Sequence, residues 1–217
     1  MARLDPRRLG VYVVTSDIGP GHREIATAAI KGGATVVQLR APELADDELG
    51  SLASSLVEMC SDAGVPLLVN DRVDVAVDSG AAGVHVGQDD DPGSARGRLG
   101  AERILGVSVM SAEEAWVAEM VGADYLGVTV WATATKPDAV AMGLEGLRAI
   151  AGATALPVVG IGGIDGRNAR EVLVAGAAGI AVIGAVASAD DPVETVRSLR
   201  TVVDDFYDER PDERKAE

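Results

Sequence analysis

The chain has 217 residues, a length suited to one large domain or two small ones, and able to bury roughly 70% of its unfolded surface without a metal or disulfide staple. Hydrophobic residues at 47% and charged residues at 24% exclude wholesale disorder. Nineteen basic against thirty-four acidic residues give a net charge of −15, which argues against nucleic acid and anionic membranes as partners.

Short β-branched runs recur along the chain, each followed by a longer helical pattern. Strands are predicted at 11–15, 36–40, 66–70, 83–87, 104–109, 125–130, 158–162 and 180–183. Several are apolar on consecutive residues, such as Val11 to Val14, as expected of parallel strands covered on both faces. The first of these runs ends at Thr15, too soon for a secretory signal, so a cytoplasmic protein is expected. Cys60, the sole cysteine, sits in an apolar helical stretch with Leu56, Val57 and Met59 and reads as a small buried hydrophobe. Ser111 and Glu114 read as a capping box before a helix expected to bury Ala115, Trp116 and Met120. Asp165 reads as the cap of a helix over 166–175, stopped by Gly176. The uncharged run 172–189 is broken by Gly176, Gly179 and Gly184, and reads as a helix end and a buried strand rather than a membrane span.

Eight strand–helix units without a composition break predict an α/β fold, a single (β/α)8 TIM barrel over 1–203. A doubly wound open sheet is the alternative, but Gly19-Pro20-Gly21 lacks the dinucleotide-binding spacing. Residues 204–217, with seven acids and three bases, read as a polar, flexible tail.

Barrel chemistry lies at the C-terminal ends of the strands, and polar residues concentrate there. Gln38 and Arg40 follow strand 2, Asn70 and Asp71 strand 3, His85 and Asp90 strand 4, Ser108 strand 5, and Thr133, Thr135 and Lys136 strand 6. Asp71 and Asp90 are suited either to sharing a hard divalent cation such as Mg2+ or to capping the helices that follow. Gly162-Gly163 after strand 7, with Gly184 after strand 8, suits backbone N–H groups facing a phosphate, or close helix packing. Arg40 and Lys136 are suited either to clamping a second anion, with Thr133 and Thr135 adding hydroxyl donors, or to standing as surface cations. His85 lacks metal-ligating partners and reads as a structural hydrogen-bonding residue. These residues alone point to a barrel enzyme acting on small phosphorylated substrates with Mg2+; they do not give the reaction.

At these same residues the sequence resembles the thiamine phosphate synthase family. The resemblance is carried by Gln38-Leu39-Arg40, Asn70-Asp71-Arg72, His85-Val86-Gly87-Gln88-Asp89-Asp90, Gly106-Val107-Ser108, Ala123-Asp124-Tyr125, Thr133-Ala134-Thr135-Lys136-Pro137 and Gly160-Ile161-Gly162-Gly163. It implies a transferase of thiamine biosynthesis. The reaction would join hydroxymethylpyrimidine diphosphate to thiazole phosphate and release diphosphate by a dissociative, Mg2+-assisted substitution. By position, Asp71 and Asp90 would ligate the metal. Gln38, Arg40, Asn70 and Lys136 would hold the diphosphate and pyrimidine with Ser108 nearby, Arg40, Ser108 and Lys136 being the catalytic set. Thr133, Thr135, Gly163, Ile183 and Gly184 would cradle the thiazole phosphate. The chain departs from the family pattern at Pro42, where a lysine is usual, with Lys31 and Arg72 as nearby cations. It departs again in the strand 6 region, one residue short, and at Gly184, where serine is usual. The related thiazole tautomerase chemistry would need a histidine where Met110 stands. A non-catalytic barrel binding thiazole phosphate is a further alternative, and homo-oligomerisation is left open.

Overall fold

The computed structural model describes residues 5–133 and 139–210. Eight parallel strands close into a barrel in chain order: β1 (Val11–Val14), β2 (Val36–Leu39), β3 (Leu67–Asn70), β4 (Gly83–Val86), β5 (Ile104–Ser108), β6 (Tyr125–Thr129), β7 (Val158–Ile161) and β8 (Gly179–Val182). Closure is made by β1 against β8, pairing Val11 with Ile180 and Val13 with Val182. The helices are α1 (His22–Gly32), α2 (Asp46–Asp62), α3 (Val73–Asp78), α4 (Pro92–Leu99), α5 (Ala112–Met120), α6 (Gly143–Ala153), α7 (Ala169–Val174), α8 (Gly184–Ala187) and α9 (Pro192–Asp208). The fold is the predicted (β/α)8 barrel, and every strand begins and ends within about a residue of its predicted place.

Strand alternation divides the apolar residues between two cores. Val11, Val13, Val37, Leu39, Val69, Val84, Leu126 and Ile180 face outward and pack under the helices. Tyr12, Val14, Val36, Leu68, Tyr125, Val159 and Ala181 face inward and fill the barrel. Both faces are therefore buried, which is why the strands read as continuous apolar runs.

The helices start where the sequence supplies an acceptor for orphan N–H groups. Asp91 accepts from Gly93 N at 3.0 Å and Asp191 from Glu194 N at 3.0 Å, each with proline at the first helical position. Ser111 Oγ accepts from Glu114 N at 3.1 Å, but the Glu114 carboxylate accepts from Met110 N rather than Ser111 N, so the expected capping box is only half made.

Three expectations about the helices are corrected. Helix α5 buries Ala115 and Ala118, while Trp116 and Met120 are 62% and 68% exposed. A face of small residues lets the helix lie close to the strands, and the larger apolar stripe is turned outward. The helix expected over 166–175 starts only at Ala169, because residues 165–168 form a turn in which Asp165 accepts from Arg167 N and Asn168 Oδ1 accepts from Asp165 N. The boundary expected at 203/204 falls inside α9, which continues to Asp208. Phe206 is buried, and the Tyr207 hydroxyl donates to Ala178 O at 2.7 Å. The remainder of the expected tail, 211–217, lies outside the described residues. Cys60 is buried in α2 as expected, and burial pushes its thiol up to about 11.

Candidate active site

A cavity of about 470 Å³ opens at the C-terminal ends of the strands. Gln38, Arg40, Asn70 and Ser108 line one side of it, and Thr133, Gly163, Ile183 and Gly184 line the β6 to β8 side. Thr135 and Lys136 lie outside the described residues.

Each lining residue is held by its strand. Gln38 faces the barrel interior from β2 and donates through Nε2 to the Tyr12 hydroxyl at 2.8 Å. Arg40 follows β2 directly, and its N–H donates to Thr15 Oγ1 at 3.2 Å, which anchors the β2 exit to the β1 exit. Asn70 closes β3 and Ser108 closes β5. Gly162 and Gly163 both have positive φ, 95° and 64°. A Cβ at Gly162 would lie 2.4 Å from the Trp131 carbonyl oxygen, so the glycine admits the chain leaving β6 as well as turning the chain after β7.

Asp71 and Asp90 stand apart from the cavity lining, on the exposed rim. The N-cap position of α3 is Arg72, and α4 is capped by Asp91 rather than Asp90. Asp90 instead turns back, its Oδ2 accepting from Gly87 N at 3.0 Å. Asp71 sits at φ 59°, the one non-glycine residue with positive φ among the described residues, and its N–H donates to His85 O at 2.8 Å. A Cβ added at Gly87 would lie 3.7 Å from Asp71 Oδ1 and 3.7 Å from Asp90 Oδ2. The two carboxylates therefore converge on one space that Gly87 leaves open. Two hard oxygen donors suit Mg2+, which takes its remaining ligands from water and phosphate. No group of three or more metal-ligating side chains occurs among the described residues, so a dedicated protein cage is not formed there.

Lys31 is exposed in the last turn of α1, and Arg72 pairs with Asp46 and donates to Leu44 O. Strand β6 pairs with β7 without a slip, from Leu126 with Val158 to Thr129 with Ile161. Residue Asp124 lies at the opposite end of β6. It accepts from Leu105 N and from Arg96, whose guanidinium also reaches Gly122, Gly100 and Arg103 carbonyls; its place in the resemblance is structural.

His85 is the hydrogen-bonding residue expected from the sequence, but its partners on the cavity floor, Tyr12 and Tyr125, are not marked as cavity residues by any sequence pattern. Tyr12 and Tyr125 are fully buried, their hydroxyls 2.9 Å apart. His85 Nδ1 lies 2.8 Å from the Tyr125 hydroxyl and Nε2 lies 3.0 Å from Ser108 Oγ. The rings fit because β5 and β6 present glycine beside them. A Cβ at Gly106 would meet Tyr125 Cζ at 2.1 Å, and one at Gly127 would meet His85 Cε1 at 2.9 Å. Burial raises both tyrosines well above the usual phenol range, so both remain protonated. Ser188, one turn past Gly184, also lines the cavity and brings a hydroxyl to that side. No helix among the described residues is long and apolar enough to cross a membrane.

The family described as thiamine monophosphate synthase matches residues 11–186, the whole barrel up to α8. A thiamine-phosphate synthase from Chloroflexus aurantiacus is 50% identical over 198 residues, covering 89% of this chain and 92% of its own. One from Roseiflexus sp. is 48% identical, covering 92% and 87%. A solved thiamine phosphate pyrophosphorylase from Pyrococcus furiosus superposes with a TM-score of 0.87 at 39% identity, covering 93% of this chain and 98% of that one. With most of its length matched and the barrel shared, the chain belongs to the thiamine monophosphate synthase family.

Proposed function

We propose that this chain is a cytoplasmic transferase that joins hydroxymethylpyrimidine diphosphate to thiazole phosphate, giving thiamine phosphate and diphosphate. The observation that carries the reading is the convergence of Asp71 and Asp90 over Gly87, beside a cavity whose walls are Gln38, Arg40, Asn70 and Ser108. The substrates are small and phosphorylated, so placed donors bind them despite the acidic net charge. Asp71 and Asp90 would hold Mg2+, which when bound neutralises the diphosphate leaving group. Arg40 and Asn70 bind and orient that group, with Lys136 assigned to it by the family motif. Ser108 donates a hydrogen bond to it. On the opposite side Gly163 and Gly184, with Thr133, Thr135 and Ile183, hold the thiazole phosphate. The substitution is dissociative: the diphosphate departs first and the thiazole nitrogen captures the pyrimidine cation. Such a step needs charge stabilisation at the leaving group and no general base.

The test is an assay of the purified protein with both substrates, with and without Mg2+, following thiamine phosphate and diphosphate, with Asp71→Ala as control. Metal-dependent product absent from the control is expected. Thiazole phosphate binding without turnover at any Mg2+ concentration would overturn the reading in favour of a ligand-binding barrel.

A further inference from the structure

Five side chains form one continuous hydrogen-bonded file across the barrel: Gln38, Tyr12, Tyr125, His85 and Ser108. Placing both tyrosine protons within the file gives it one direction. Gln38 Nε2 donates, so the Tyr12 oxygen accepts. The single Tyr12 proton then passes to the Tyr125 oxygen, and the Tyr125 proton to His85 Nδ1. An imidazole accepting at Nδ1 carries its proton on Nε2, which faces Ser108 Oγ at 3.0 Å. Ser108 therefore accepts from His85, and its own proton is turned elsewhere, toward the cavity that Ser108 lines.

From this we infer that His85 is a positioning residue: held by the Tyr12–Tyr125 pair, it sets the Ser108 hydroxyl as a hydrogen-bond donor into the cavity. The opposite polarity needs either the Gln38 amide turned over, so that its oxygen faces Tyr12, or the Tyr12 oxygen accepting from both Gln38 and Tyr125 while its own proton turns into the cavity it lines. The bonds from Tyr12 through His85 then reverse, Ser108 donates to His85, and a ligand meets only serine lone pairs. Lone pairs repel phosphate oxygen, so only the first polarity makes Ser108 useful to an anion. Two features hold the file as one unit. No buried side-chain polar atom among the described residues lacks a partner, and Gly106 and Gly127 leave the two rings little lateral freedom. That the donor serves a departing diphosphate rests on the function proposed above; the polarity of the file does not.

The chain has two histidines, which makes the file directly observable. Long-range nitrogen–proton NMR of protein labelled on its histidine rings, assigned with His22→Asn, reads the His85 tautomer at neutral pH without any substrate. A proton on Nε2 is expected, and a proton on Nδ1 overturns the inference. Kinetics form the second arm. His85→Asn keeps a partner for Tyr125 but none for Ser108, and should lower kcat about 10- to 100-fold, as Ser108→Ala does. The double variant should be no slower than either single variant, whereas His85→Gln, whose amide reaches Ser108, should restore activity to within about 3-fold of wild type. Additive losses in the double variant, or no recovery in His85→Gln, overturn the inference. Absence of activity in the unaltered protein would remove the proposed reaction, and the tautomer alone would then decide the polarity.

Discussion

Replacing Gly106 by alanine adds one methyl group to the floor of the active site, and the structure gives the size of the disturbance. The new Cβ would stand 2.1 Å from Tyr125 Cζ and 2.3 Å from its hydroxyl oxygen. Carbon atoms rest at about 3.5 Å, so the ring must retreat by about 1.4 Å. It is fully buried, and its hydroxyl is held at 2.9 Å from Tyr12 and 2.8 Å from His85. A shift of that size breaks both hydrogen bonds. Overpacking costs about 1–3 kcal/mol and each lost bond about 1 kcal/mol, so Gly106→Ala should destabilise the barrel by about 3–5 kcal/mol. That is a large part of a total stability of about 5–15 kcal/mol. Urea unfolding followed by far-UV circular dichroism measures it as a fall in midpoint at constant slope. Gly97→Ala is the control of opposite sign. It lies in α4 with nothing within 4 Å of an added Cβ, and should stabilise by about 0.5–1 kcal/mol. A loss below about 1 kcal/mol for Gly106→Ala would refute the claim that Tyr125 is fixed in place.

Asp71→Asn keeps a residue tolerant of positive φ, so it should fold with wild-type stability while losing metal-dependent turnover by at least about 100-fold; activity equal to wild type at saturating Mg2+ would exclude Asp71 as a ligand. Asp124→Ala removes the acceptor shared by Leu105 N and Arg96 at the far end of the barrel. It should cost about 2–3 kcal/mol in urea unfolding while leaving KM unchanged, and a raised KM would contradict its structural assignment. The Cys60 thiol, raised by burial to about 11, stays protonated and out of reach at neutral pH, so disulfide reagents should modify it only at the rate of unfolding. Because its proton is held more tightly in the folded chain, Cys60 opposes folding as pH rises from 9 toward 11, and Cys60→Ala should flatten the stability profile there.

Much of this barrel was legible in the sequence because parallel strands covered on both faces write themselves as short, unbroken apolar runs. The eight runs are visible without knowing which residues face inward. What the runs conceal is side-chain direction. Tyr12 reads like its neighbours Val11 and Val13, yet it alone of the three turns inward to meet Gln38 and Tyr125. The hydrogen-bonded file is assembled from five different strands, and no spacing along the chain brings its members together. The rim carboxylates were readable as a pair because they follow neighbouring strands, but their convergence depends on the empty place at Gly87. Helix α5 was misread because hydrophobic size outweighs position in a periodic pattern, and the alanines that face the strands are the quieter signal.

The backbone at Asp71 also constrains how this sequence can drift. A left-handed residue is tolerated without strain only by glycine and, at small cost, by asparagine or aspartate. Most single changes at position 71 therefore damage the fold along with the chemistry, and are removed by selection for stability before activity is even at issue. The exceptions are asparagine and glycine, which spare the barrel and abolish the negative charge. Descendants of this chain that have given up the reaction but kept the architecture should carry one of those two residues at the turn after β3, a mark of retirement that can be read from sequence alone.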